Sequence, residues 1–357
     1  MSQVPRHHRQ MLLPDWGQEG QQRIARGHVA IVGMGALGCG IADLLARAGV
    51  GMLTIVDRDV VEITNLQRQT LYTNEDAAAG LPKVQAAQNR LLAIDPGLTV
   101  RSHAVDLTHL NVNQMIEKSV QVVLDGTDNF ATRYLLNDLC VERGIPLCYG
   151  GVIATRGMQA TLTPNSDAET GACLRCLFEE PPPAGTTPTC DTAGVLGPAV
   201  SIVAAAQATD ALKILLGHQH LLSRSLLEFD LWSNQRRRVD LRGSKRVDCP
   251  CCGVHRKREF LSGRNGDEPP HLCGQLAVQI PGNPSGTKID LESLAQRLAS
   301  HGRVTGSKVF VRLEQASALP GWKNAAVITV FADGRAIVRG TEDVSQAKGL
   351  YAKLIGM

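Results

Sequence analysis

Over the first 150 residues, short apolar runs alternate with stretches in which apolar residues recur at helical spacing. His28 to Val32 reads as a buried strand, followed by the turn Gly33-Met34-Gly35-Ala36-Leu37-Gly38 and a helix through about Ala48. Met52 to Val56 reads as a second strand ending in Asp57. Lys83 to Ile94 has helical periodicity, Leu98 to Val105 and Val122 to Leu124 read as strands, and Arg133 to Glu142 as a helix before Ile145-Pro146-Leu147-Cys148. This alternation predicts an α/β fold: a doubly wound, mostly parallel sheet with ligands beyond the carboxyl ends of its strands. After Gly150 and Gly151 the pattern changes. An antiparallel stretch from Val152 to Thr163 turning near Arg156-Gly157, a loop from Pro181 to Thr189 and a long helix from about Ala199 to Leu216 predict a continuation into a mixed sheet.

Residues 263–270, Ser262-flanked and without an apolar side chain, read as a linker between a 1–262 domain and a 271–357 domain. In the latter, strands at Leu276 to Ile280, Lys308 to Leu313, Val327 to Phe331 and Ala336 to Val338, a hairpin turn at Asp333-Gly334, and helices at Leu291 to Ala299 and Ser345 to Leu354 predict a small α+β module. The 37 Lys and Arg against 34 Asp and Glu give a net charge of +3, which argues against a dedicated nucleic-acid or membrane-surface binder. Met1 to Trp16 lacks an apolar run, and the stretch Ala193 to Ala206 is broken by Gly197, Pro198 and Ser201, so neither signal peptide nor membrane span is expected. That reading puts the ten cysteines in a reducing cytoplasm, where paired spacings mean metal or catalysis more often than disulfides.

Gly33, Gly35 and Gly38 have the spacing that lets backbone approach a phosphate at a helix N-terminus, and Asp57 stands 19 residues past Gly38, where a carboxylate can accept from ribose hydroxyls. A nicotinamide enzyme would share these features. Asn65, Arg68 and Lys83 offer an amide and two cations suited to a triphosphate, and Asp128, at the end of the Val122 strand, is placed to hold Mg²⁺. Each has an ordinary alternative: turn residue for Asn65, surface charge for Arg68 and Lys83, helix cap for Asp128. Cys173 and Cys176, with Cys249 and Cys252, form two pairs whose spacing suits one structural Zn²⁺, with Cys251 an extra candidate ligand. Cys190, beside a helix start, is a candidate nucleophile or an exposed bystander; Cys39, Cys140 and Cys148 fit the core. Between Arg224 and Arg258 ten basic residues face four acidic ones, which reads as a solvated face, with docking of an acidic partner as the alternative.

Taken in order, Arg6-His7-His8-Arg9-Gln10, the glycine turn, Asp57 to Gln69, Lys83, Thr127-Asp128-Asn129 with Arg133, the loop Cys190 to Pro198 and both cysteine pairs resemble the MoeB/ThiF/HesA family, adenylyltransferases that activate ubiquitin-like sulfur carriers. The resemblance covers roughly Arg6 to Gly253 and implies a Rossmann-like fold, ATP as substrate, Mg²⁺ and Zn²⁺, a carrier protein ending in Gly-Gly, a homodimer and a sulfur donor protein. It implies that Asp57 binds ribose, that Asn65, Arg68 and Lys83 bind phosphates, that Asp128 holds Mg²⁺ and that Arg9 serves a second protomer's site. Further nucleotide contacts are implied at Ala36, Asp59, Thr64, Leu66, Gln67, Gln69, Thr127, Asn129 and Arg133. Ala36 departs from the glycine usual in the family, which narrows the approach to the phosphates. The C-terminal module is no rhodanese domain, since the last cysteine, Cys273, lies in Cys273-Gly274-Gln275-Leu276, which is not a persulfide loop. An oxidoreductase on the same nucleotide fold and a noncatalytic carrier-binding protein are the competing readings.

Overall fold

The computed structural model describes residues 5–164, 171–182, 190–264, 277–282, 288–319, 322 and 325–355, and divides into two compact units, 1–266 and 267–357. The first is built on an eight-stranded sheet of order β3-β2-β1-β4-β5-β6-β7-β8. Its strands are β1 His28–Val32, β2 Met52–Val56, β3 Thr99–His103, β4 Val122–Asp125, β5 Leu147–Ile153, β6 Arg156–Leu162, β7 Ser225–Asp230 and β8 Gln235–Asp240. Strands β1 to β5 run parallel and β6 to β8 antiparallel. Strand order reverses between β1 and β4, so a crevice opens beyond their carboxyl ends. On one face, the helices Ala36–Ala48, Lys83–Ile94 and Gly197–Leu216 bury a core that includes Ile31, Ile41, Leu45, Leu53 and Val203; on the other, Phe130–Arg143 packs through Leu135, Leu136 and Leu139.

The helix Gly197–Leu216 is long and apolar enough to cross a membrane by length and composition. Here it lies mostly buried in the core, and it also carries buried polar groups. Gln207 donates to the carbonyls of Asp125 (3.0 Å) and Cys148 (2.8 Å), while Asp210 accepts from Thr161 (2.8 Å) and Gln159 (3.2 Å). Gly150 lies inside β5 because a Cβ there would strike the Gln207 amide at 2.5 Å.

The hairpin expected to turn near Arg156-Gly157 instead turns at Ala154-Thr155. Ala154 takes a left-handed φ of 50° and is held by Gly194 and Leu196 through its N–H and carbonyl. Gly157 is a strand residue, kept small by the Phe229 ring, which a Cβ would meet at 2.4 Å. Strands β7 and β8 are not announced by the apolar pattern: β8 is an exposed edge whose arginines leave no apolar alternation.

The second unit is a five-stranded antiparallel sheet of order β10-β11-β12-β13-β9. Its strands are β9 Ala277–Ile280, β10 Arg303–Gly306, β11 Phe310–Ala318, β12 Ala325–Phe331 and β13 Ala336–Arg339. Helices Leu291–Leu298 and Val344–Ile355 contribute Leu294, Leu298, Leu350 and Leu354 to a core with Val278, Leu313, Ile328 and Val338. Leu276, Cys273, residues 265–270 of the expected linker and most of the Pro181 to Thr189 loop lie outside the described residues.

Candidate active site and metal centre

The three glycines after β1 do different things. Gly33 has φ of 86°, and a Cβ on it would meet the Gly126 backbone at 2.6 Å, so it lets the turns after β1 and β4 touch. At Gly38 a Cβ would collide with the Gly33 carbonyl at 2.0 Å, so that glycine seats the helix on its own turn. Gly35 alone of the three faces open space, its nearest neighbour the Gln69 amide at 3.9 Å. Of the three, Gly35 therefore leaves room for an anion to approach the backbone, at the N-terminus of a helix whose first residue is Ala36.

Asp57 is fixed by two short hydrogen bonds, accepting from the Met34 N–H (2.6 Å) and the Asp59 N–H (2.7 Å). Burial pushes its carboxyl above the ordinary range, against the pull of nearby Lys83. Lys83, the first residue of its helix, is buried and donates to Asp59 at 3.1 Å. Burial disfavours its charge, yet Asp59 and Asp57 outweigh this and hold the ammonium more firmly protonated than usual. It is not the surface lysine of the ordinary alternative. Arg58 lies beside them, paired with Asp106 at 3.3 Å; sequence reasoning missed it because a lone arginine after a strand carries no pattern.

Asn65 is buried in the 3-10 turn Ile63–Asn65, where its Oδ1 accepts from the Glu62 N–H at 3.1 Å. Thr64 and Gln67 are exposed, Leu66 is half-buried, and Arg68 is half-buried with one guanidinium nitrogen 3.2 Å from the Thr64 carbonyl. Gln69 is buried, and its Oε1 has no hydrogen bond among the described residues. A buried acceptor left unmet beside an open glycine fits a nucleotide.

At the end of β4 the candidates separate. Arg133 is buried and held through two of its three nitrogens: Nε to Asp125 at 2.7 Å, and Nη2 to the carbonyls of Thr127 (3.0 Å) and Gly150 (3.1 Å), with the guanidinium 4.9 Å from the Tyr149 ring centroid. Thr127 donates its hydroxyl to Asp125 at 2.6 Å. Asn129 caps the helix Phe130–Arg143, accepting from Thr132 N–H at 2.8 Å. These three shape the crevice wall. Asp128 is not the cap; its carboxylate is exposed, has no hydrogen bond to a described residue, and adds to the charge felt by Arg58, Lys83 and Arg133. An open carboxylate among buried cations suits a divalent ion held against phosphate.

Arg9 is not in this group. It belongs to the exposed helix His8–Met11, where the adjacent Gln10 donates to the carbonyl of Ala48 at 2.9 Å and His7 lies against Gly49. That is the far end of the helix that begins at the glycine turn, about 20 Å away at 1.5 Å per residue.

The sulfur atoms of Cys173, Cys176, Cys249 and Cys252 all lie within 4.8 Å of one another, with pairs at 3.7 Å (Cys173 to Cys249), 3.4 Å (Cys176 to Cys252) and 4.0 Å (Cys173 to Cys176). Tetrahedral Zn–S bonds of about 2.3 Å set sulfurs roughly 3.8 Å apart, so the cluster fits Zn²⁺. Cys251 is buried, but its sulfur accepts from the Asn137 amide at 3.4 Å and lies outside the four. Burial pushes the Cys39 and Cys148 thiols up to about 12, as inert core residues. Cys190 starts the short helix Cys190–Ala193, and its side chain lies outside the described residues.

The ThiF family profile matches residues 7–251. The chain belongs to the ThiF family. Across this ThiF-family chain, the sulfur carrier protein ThiS adenylyltransferase of Bacillus subtilis (strain 168) is 38% identical over 351 residues, spanning 98% of the chain and 99% of that protein. The sulfur carrier protein adenylyltransferase of Thermus thermophilus is 42% identical over 252 residues, 70% of the chain and 91% of that protein. The SAMP-activating enzyme E1 of Haloferax volcanii is 40% identical over 252 residues, 71% and 90%. A crystal structure of Escherichia coli MccB with ATP shares the fold, with a TM-score of 0.60, 19% identity, and coverage of 70% of this chain and 75% of that one.

Proposed function

We propose that this chain is an ATP-dependent adenylyltransferase acting on the C-terminal glycine carboxylate of a ubiquitin-like sulfur carrier protein. The observation that carries this is the match to a ThiS adenylyltransferase along nearly the whole of both chains. The nicotinamide-enzyme and noncatalytic readings have no such support, and a crevice of buried cations with an open carboxylate is superfluous to either.

In the reaction a carboxylate oxygen of the carrier attacks the α-phosphorus of ATP, the bond from that phosphorus to the bridging oxygen breaks, and pyrophosphate leaves with that electron pair. The nucleophile is already ionised, so no general base is needed. The obstacle is two anions approaching each other. Arg68 and Lys83 offset that repulsion, with Asn65 orienting the phosphates and Asp57 the ribose. Asp128 is the residue that would hold Mg²⁺, which neutralises phosphate charge when bound. Cys173, Cys176, Cys249 and Cys252 would hold Zn²⁺ as a closed structural clip.

The enzyme works as a homodimer in this reading, because Arg9 sits a helix length from its own protomer's phosphate turn and serves the neighbouring one. A persulfide sulfur, on a sulfur donor protein or passed from it to Cys190, would then attack the acyl carbon, the bond to the adenylate oxygen breaking as AMP leaves, and the acyl disulfide so formed on Cys190 is the covalent adduct of this reading. The 267–357 unit is proposed as a separate domain with its own role. Exchange of labelled pyrophosphate into ATP tests the adenylation: it should require a carrier ending in Gly-Gly and vanish when the glycines are removed, and exchange indifferent to the truncation rejects it. Cys190→Ala should still adenylate but form no reducible adduct with the carrier; an unchanged adduct rejects the covalent role.

A further inference from the structure

The four-sulfur site and the nucleotide crevice share one element, the helix Phe130–Arg143. Arg133, Asn137 and Val141 stand four residues apart on it and form a stripe along one face, about 12 Å from first to last at 1.5 Å per residue. Arg133 holds Asp125 and the carbonyls of Thr127 and Gly150, and so fixes the turn from which Asp128 projects. Val141, at the other end of the stripe, packs into the cysteine cluster.

Between them lies Asn137, only 2% exposed, with both ends of its amide engaged. Its Oδ1 accepts from the Leu174 N–H at 2.8 Å, beside Cys173. Its Nδ2 donates to the Cys251 sulfur at 3.4 Å, beside Cys252, and to the Asp138 carboxylate at 3.4 Å. One side chain is thus bonded to both cysteine pairs without touching any of the four sulfurs of the cluster. Both bonds form together only when the two pairs stand in one fixed register, which is what a metal shared by their sulfurs imposes. The place of the amide and the hold on the metal therefore depend on each other, and the amide is one helical turn from the arginine that shapes the crevice.

We propose that Asn137 is a positioning residue that links the metal clip to the nucleotide crevice. With Zn²⁺ held, its two bonds fix the height and rotation of the helix, and Arg133 then keeps the Thr127-Asp128 turn in the geometry that takes a nucleotide. This linkage rests on the adenylyltransferase reading and on Zn²⁺ as the ion of the clip. It runs both ways: ATP tightens the hold on Zn²⁺ by the same factor by which Zn²⁺ tightens the hold on ATP.

The test titrates full-length protein with a zinc chelator, with and without saturating Mg²⁺-ATP, and measures ATP affinity by calorimetry on the same samples. In the wild type, ATP should tighten zinc retention about tenfold. In Asn137→Ala and in Cys251→Ala the two titrations should coincide, although all four sulfurs of the cluster remain. Cys251→Ala keeps Asn137 and decides the matter if Asn137→Ala does not fold. Cys251→Ser, whose hydroxyl still accepts from the Asn137 amide, should restore most of the effect of ATP. An amide that merely fills the core would, when removed, lower the melting temperature and leave the effect of ATP at its wild-type size; that result overturns the proposal, as does a wild-type protein whose zinc retention ignores ATP. Purified protein without zinc rejects the zinc reading, and zinc-loaded protein that takes up no ATP rejects the adenylyltransferase reading. Either overturns the linkage too, and elemental analysis before nucleotide is added tells the two apart.

Discussion

At the residue scale, two arginines that look alike in the sequence have opposite assignments. Arg68 is half-buried, with a single contact from its guanidinium to a backbone carbonyl, and is available to a phosphate. Arg133 is anchored to Asp125 and two carbonyls through Nε and Nη2. Arg68→Ala should therefore abolish pyrophosphate exchange while leaving the melting temperature almost unchanged, as should Asp128→Ala. Arg133→Ala should lower the unfolding free energy by about 3–5 kcal/mol, because it strands the fully buried Asp125 carboxylate. Denaturant titration beside the exchange assay separates the two; an Arg133→Ala protein of native stability rejects the assignment.

At the element scale, the glycine turn makes a sharper comparison. Gly33→Ala demands a left-handed alanine and a methyl driven into the Gly126 backbone, so it should yield a strongly destabilised or insoluble protein. Gly35→Ala has negative φ and open space, so the fold should survive while the KM for ATP rises several-fold. Thermal melts with and without nucleotide measure both, and equal loss of stability in the two variants would refute the division of labour. The parallel half of the sheet was legible because its central strands β1, β2 and β4 are buried on both faces and write nearly continuous apolar runs, whereas the edge strand β3 is only partly buried and mostly polar. Where elements are held by one side chain against another, the sequence misled: Gly157 looked like a turn and is a strand residue under Phe229, and β8 is polar along its length because it is an edge. In the site, residue types and spacing were readable, but which candidates face the crevice was not, since Arg133 and Asn129 differ from Arg68 and Asp128 only in the partners that tertiary packing gives them. The unmet Oε1 of Gln69 and the position of Arg58 leave no trace in a single sequence.

At the scale of the whole molecule, the proposed homodimer, with Arg9 serving the neighbouring site, makes its own prediction. Mixing Arg9→Ala protein with Asp128→Ala protein, each inactive alone, should restore roughly a quarter of wild-type exchange, because half the re-formed dimers hold one intact site of two. No recovery after subunit exchange would place Arg9 outside the reaction. The four-sulfur cluster predicts one zinc per chain by elemental analysis, and Cys173→Ser should lower both zinc content and melting temperature; a zinc-free protein of unaltered stability would reject the site. The same clip has a further meaning. A metal held there would fasten residues 173–176 to 249–252, at the point where the family match ends, and so tie off the first unit before the chain goes on. A chain finished in this way carries its own closure, and the stretch beyond the knot is free to be exchanged, lengthened or lost in descent without the catalytic half having to be rebuilt.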